Sequence, residues 1–147
     1  MNARDYFASC PKGLEYLLVD ELKALGGEDV REALAGVHFR GGLDIGYKAC
    51  LWSRLASRVL MPLAEFDAED ADALYAGAHA IDWAAHLDVD STFAVDAVGS
   101  TRGIVNTQFA ALKVKDAIVD QFRAATGKRP DVETERPSLR VNLVLRR

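Results

Sequence analysis

The run Thr92-Phe93-Ala94-Val95-Asp96-Ala97-Val98, the loop Gly99-Ser100-Thr101-Arg102-Gly103 and the segment Lys113-Val114-Lys115-Asp116-Ala117-Ile118-Val119-Asp120-Gln121-Phe122 decide how this chain folds. The first reads as a strand. A glycine-bounded polar loop follows it, and Ala110, Val114, Ala117, Ile118, Phe122 and Ala125 then recur at helical spacing. Lys113, Asp116, Asp120 and Arg123 fall on the opposite face. The spacing predicts a helix from about Ile104 to Ala125, ended by Gly127 and Pro130. A helix start gathers unpaired N–H groups and the positive end of the helix dipole, so this strand, loop and helix can hold an anion, phosphate above all.

Outward from this block, Leu139, Val141, Leu143 and Leu145 alternate with Arg140, Asn142, Val144 and Arg146, which predicts a half-buried strand. A basic strand with no partner hairpin after it reads as part of a longer protein. Upstream, Asp67-Ala68-Glu69-Asp70-Ala71-Asp72 precedes Leu74, Tyr75 and Ala78 and reads as an acidic helix start. It lacks the glycine and terminal glutamate of a calcium loop.

The first half has a different order. Asp5 to Ser9 is a strand candidate, and Pro11 suits a first helical position before Leu14, Leu17, Leu18, Leu22 and Leu25. Asp29 to Leu34 and Val37 to Arg40 read as a hairpin, Asp44 to Ser53 as a helix, and Arg58 to Phe66 as a strand. This β-α-β-β-α-β order is the ferredoxin-like arrangement, with Pro62 suited to its edge strand. The expected division is residues 1–66 and 67–147.

Half of the 147 residues are hydrophobic and 27% are charged, the balance of a soluble globular chain. No apolar run approaches the ~20 residues of a bilayer span, and the amino terminus lacks a secretory core, so a cytoplasmic protein with no membrane role is expected. Cys10 and Cys50 read as reduced, buried thiols. Charge is unevenly spread. Residues 67–98 hold 8 acidic side chains and no basic ones, whereas residues 99–147 hold 10 basic and 5 acidic, a net +5. The surplus coincides with the glycine loop.

No catalytic constellation stands out. His38, His79 and His86 lack metal spacing, and no serine or cysteine has an evident base. Gly41-Gly42-Leu43-Asp44-Ile45-Gly46 is turn chemistry, its spacing being wrong for a dinucleotide fingerprint. The loop at Gly99 does not end in Gly-Lys-Ser or Gly-Lys-Thr and is no triphosphate loop. In Leu51-Trp52-Ser53-Arg54, Trp52 reads as core in preference to a base-stacking platform. The candidate anion-binding residues are Arg102, Asn106, Gln108, Lys113 and Lys115, with Lys128, Arg129 and Arg140 further along. Cationic side chains suit phosphate oxygens, and Asn and Gln also bond base edges and ribose.

Asn106-Thr107-Gln108-Phe109 with Lys113 to Phe122, preceded by Thr92-Phe93-Ala94-Val95, resembles the THUMP domain of bacterial ribosomal RNA methyltransferases. Gly36-Val37-His38-Phe39 and Leu51 to Leu63 are similar to the region ahead of that domain in the 23S rRNA guanine-N2 methyltransferases, also described as N6-adenine-specific DNA methylases. The resemblance spans essentially the whole chain. It implies an α+β protein, a ferredoxin-like unit followed by an α/β THUMP domain lacking its final strand, which would leave Arg140 to Arg147 as an exposed or swapped edge, and it implies binding of structured RNA, 23S rRNA in particular. It also implies a catalytic methyltransferase domain using S-adenosylmethionine elsewhere in the parent protein. Neither an Asp-Pro-x-Cys-Gly-Ser-Gly loop nor an Asn-Pro-Pro-Tyr motif occurs here, so no cofactor and no methyl transfer are expected of this segment. Val105 stands where related enzymes often carry a basic residue. The alternative is a module that docks an acidic protein partner or the parent's catalytic domain.

Overall fold

The computed structural model describes residues 3–146 and resolves into two compact units, Met1–Leu63 and Ala64–Arg147. Arg147, the last residue of the expected edge, lies outside the described residues.

The first unit contains β1 (Arg4–Ser9), α1 (Glu15–Ala24), β2 (Glu28–Ala33), β3 (Gly36–Gly41), α2 (Leu43–Trp52) and β4 (Arg58–Leu60). Its antiparallel sheet has the order β2-β3-β1-β4, the ferredoxin-like arrangement. Tyr6, Ala8, Leu18, Leu22, Val37, Phe39 and Ala49 form the core, with the rings of Tyr6 and Phe39 stacked 5.2 Å apart.

Several boundaries move, each for a local reason. Pro11 is not a first helical residue. It opens a turn through Gly13, whose φ of +100° suits glycine, and α1 begins only at Glu15. β4 stops at Leu60, two residues before Pro62, which has no N–H to give a ladder. Phe66, expected in that strand, belongs to the second unit, where its ring fills the place a Cβ on Gly77 would take, 2.1 Å away.

Trp52 and Cys50 also depart from expectation. Trp52 is 65% exposed and Cys50 is exposed, whereas Cys10 is buried. The inward residues of α2 are Gly46 and Ala49, because a Cβ at Gly46 would stand 2.8 Å from the Tyr6 ring. Small residues therefore face the sheet, and Tyr47, Leu51 and Trp52 face out.

The second unit contains α3 (Ala71–His79), a 3-10 turn (Trp83–Ala85), β5 (Thr92–Gly99), α4 (Thr107–Thr126), β6 (Asp131–Val132) and β7 (Leu139–Leu145). Its parallel sheet has the order β6-β5-β7. Phe93, Ile104, Val114, Ala117, Ile118 and Phe122 pack with Leu74 and Trp83 in one core. The acidic run does open a helix: the Asp70 carboxylate accepts the Ala73 N–H at 2.8 Å, an N-cap bond. Gln121 ties the helices together. Its Nε2 donates to the carbonyls of His79 (2.9 Å) and Ile81 (2.6 Å), and its Oε1 accepts the Trp83 N–H at 3.0 Å. Gly127 ends α4 at φ +75°.

Candidate nucleic-acid interface

Parallel pairing of β5 with β7 runs from Phe93–Leu139 to Gly99–Leu145, so both strands finish at the same end of the second unit. The chain leaves β5 there, makes the loop 100–106 and enters α4. The carboxyl ends of two strands and the amino end of the long helix therefore share one side, where an α/β layer commonly holds ligands.

The loop is not a glycine cradle. A Cβ on Gly99, whose φ is +89°, would stand 2.0 Å from the Leu145 carbonyl oxygen, and one on Gly103 would stand 1.8 Å from that of Glu69. Both bare Cα positions are spent on close approach to the protein's own backbone. The turn between them is closed by the Thr101 N–H donating to the Ile104 carbonyl at 2.9 Å and the Ile104 N–H donating to Thr101 Oγ1 at 3.0 Å. Ile104 is buried, which holds the loop down.

Asn106, expected within the helix, is its N-cap: Oδ1 accepts the Phe109 N–H at 3.1 Å. This cap moves the helix start to Thr107. The N–H groups of Thr107 and Gln108 remain first-turn donors with no intrahelical acceptor. Arg102 and Gln108 are exposed at this end. Arg146, exposed and directly after Leu145, joins the same end and was not singled out from the sequence. Its signal was the strand alternation, which shows its place only once β7 is paired to β5.

The remaining candidates are dispersed. Lys113 and Lys115 are two residues apart, about 200° around the helix, and so occupy different flanks. Lys113 Nζ lies 5.5 Å from the Phe109 ring centroid, a cation–π contact, and Lys115 Nζ lies 3.3 Å from the Asp116 carboxylate. Arg140 is held by Asp96 at 2.6 Å and by the Thr134 carbonyl at 3.1 Å. Lys128 and Arg129 sit beyond the far end of α4, about 30 Å from its start at 1.5 Å per residue. The helix dipole favours cations there. Arg129 Nε donates to the Pro130 carbonyl at 3.3 Å.

Val105 (72% exposed), Phe109 (46%) and Leu112 (53%) place apolar surface next to the cations. On the neighbouring helix the Tyr75 hydroxyl donates to Asp120 at 2.6 Å, which together with burial raises its pKa. Among the described residues no three His, Cys, Asp or Glu side chains group to hold a metal ion. No described helix is long and apolar enough to cross a membrane. In the loop between β5 and α4 the room at Gly99 and Gly103 is filled by the chain's own backbone, so this loop is no open glycine cradle for a cofactor such as S-adenosylmethionine.

The RlmL ferredoxin-like domain family matches residues 5–60 and the THUMP domain family matches residues 68–147. The chain is 56% identical over 138 residues to the ribosomal RNA large subunit methyltransferase K/L of Aeromonas salmonicida, covering 94% of this chain and 19% of that protein. It thus spans about a fifth of the curated relatives it matches. A predicted N6-adenine-specific DNA methylase from Listeria monocytogenes superposes with a TM-score of 0.83 at 27% identity, over 99% of this chain and 38% of that one. SMU.472, solved in complex with SAH, superposes with a TM-score of 0.81 at 26% identity, over 99% and 39% respectively.

Proposed function

Because the chain belongs to the THUMP-domain family, with an RlmL-type ferredoxin-like unit ahead of that domain, we propose that it docks structured ribosomal RNA for an S-adenosylmethionine-dependent methyltransferase. In this reading the catalytic domain lies elsewhere in the parent protein, acts on guanine N2 of 23S rRNA and binds the cofactor. The work is cytoplasmic. This segment supplies affinity and orientation and does no bond-making.

The observation that supports the reading is that Arg102, Gln108 and Arg146 are exposed at chain positions next to the carboxyl ends of β5 and β7 and the first turn of α4. Cations and amides there suit phosphate oxygens, and the Gln108 side chain suits a base edge or ribose hydroxyl. Lys113 extends the surface along one flank. Asn106 acts through the helix start it caps, while Lys115, Lys128, Arg129 and Arg140 contribute longer-range field. With about three or four phosphates neutralised, log K should fall with log salt at a slope of about −2 to −3 for RNA, using ~0.7 per phosphate. Five to seven contacts, one for nearly every candidate cation, would give about −3.5 to −5. Fluorescence anisotropy with a 23S rRNA hairpin over a salt series measures the slope, and a flat profile contradicts the proposal.

The exposed row of Val105, Phe109 and Leu112 favours a second reading, docking of a protein partner. Competition separates the two: structured RNA displaces a labelled hairpin in the first case, and an acidic peptide does so in the second.

A further inference from the structure

The outward face of α2 has no role in the reading above, yet it carries unusual chemistry. Tyr47 and Leu51 lie one helical turn apart, as do Lys48 and Trp52 beside them. Tyr47 is 66% exposed, Leu51 74% and Trp52 65%. Ile45, Gly46 and Ala49 turn inward, with Gly46 tight against the Tyr6 ring, which leaves Tyr47, Leu51 and Trp52 on the outer side.

Its charge is one-sided. Lys48, Arg54 and Arg58 are the charged residues between Asp44 and Glu65. The nearby carboxylate of Glu21 is engaged, accepting from the Ser53 hydroxyl and from the Arg54 N–H at 3.2 Å. Asp44 stands in the first turn of α2, where the helix dipole favours it. A basic rim beside exposed aromatic rings suits a polyanion whose units carry flat apolar faces. Unpaired bases of RNA have that composition, and stacking on aromatic rings is tolerant of base identity.

We propose that this face of the first unit is a second RNA-docking surface, stacking unpaired bases on Trp52 and Tyr47 while Lys48 and Arg54 meet the flanking phosphates. It rests on the reading of the chain as an RNA-binding module and adds a site for single strands.

The test uses the whole 147-residue chain and two probes, a hairpin RNA with a single-stranded oligoadenosine tail and the same hairpin blunt-ended. The chain has two tryptophans, and Trp83 is 1% exposed, so any loss of emission on adding RNA reports Trp52. The tailed RNA should quench that emission in the wild type and not in W52F. W52A should bind the tailed RNA about 5- to 150-fold more weakly, the range of base stacking on one aromatic ring, with the blunt hairpin unchanged. K48A/R54A should weaken the tailed RNA as well and lower its salt slope by about 1.4. Trp52 is exposed, so the melting of W52A should stay close to wild type, which a circular dichroism scan checks. Unquenched emission at saturating tailed RNA, or equal affinity of W52A and wild type for it, overturns the proposal. Loss of self-association in W52A with RNA affinity unchanged would assign the face to a second copy and overturn it too. If both hairpins bind and W52A is neutral, only this proposal falls. If neither binds, the RNA reading falls with it.

Discussion

Glu15 shows how one side chain can join two turns. It is buried, and its carboxylate accepts the Gly13 N–H at 2.7 Å and the Ala35 N–H at 3.0 Å, linking the turn after β1 to the β2–β3 hairpin. Its own amide and those of Ala35 and Gly13 outweigh burial and hold its pKa below the ordinary 4.5. A carboxyl lowered in the folded state stabilises it above the unfolded value, and that contribution disappears as pH falls through the folded one. E15Q should therefore melt below wild type at neutral pH, and the gap should close as pH drops beneath 4.5. A gap of constant size across that window, in thermal melts, would count against this account. Gly103 makes a comparable prediction in the second unit. A Cβ there would meet the Glu69 carbonyl oxygen at 1.8 Å, so G103A should cost about 1–3 kcal/mol in urea titration. Trp52 marks a limit of reading at this scale: hydrophobicity alone does not say which way a helix faces, and the close approach at Gly46 decided it.

Among the elements, α4 carries the most structural demand. Its periodicity was readable because six of its residues, Ala110, Val114, Ala117, Ile118, Val119 and Phe122, are buried on the side facing the core. Its start was not, since Ile104 fits the periodic pattern yet is buried by the preceding turn, while Asn106 fixes the first turn by capping it. N106A should cost about 0.5–2 kcal/mol, largely restored in N106S, which retains a capping oxygen. Gln121 falls on the periodic face of α4, but its three hydrogen bonds to the segment 79–83 depend on where α3 ends, which local pattern does not show. Q121A should lose about 1–3 kcal/mol, and a leucine there should not recover it, because the Trp83 N–H would lack its acceptor in both variants. R140A should shift stability by no more than about 1 kcal/mol, since its partner Asp96 lies on the exposed side of the sheet.

For the molecule as a whole, the order of elements was legible because turn residues and apolar spacing are local signals. The order β-α-β-β-α-β holds in the first unit, and α-β-α-β holds in the second except that the two-residue β6 at Asp131–Val132, too short to leave a sequence pattern, stands between α4 and β7. Which cations share a surface depends on pairing between strands far apart in sequence, and this was beyond the reach of local pattern. Arg146 reaches the end proposed to bind RNA because β7 runs parallel to β5, whereas Lys128 lies a helix length away and Lys115 and Arg140 are engaged by Asp116 and Asp96. The basic surplus of residues 99–147 is therefore a broad field with one concentrated end. The most direct measurement of that claim is the salt dependence of 23S rRNA hairpin binding by wild type and R102A/R146A. The account predicts weaker binding at low salt and a slope shallower by about 1.4 for the double variant, at ~0.7 per lost phosphate contact. Equal affinity and equal slope for the two proteins would contradict it.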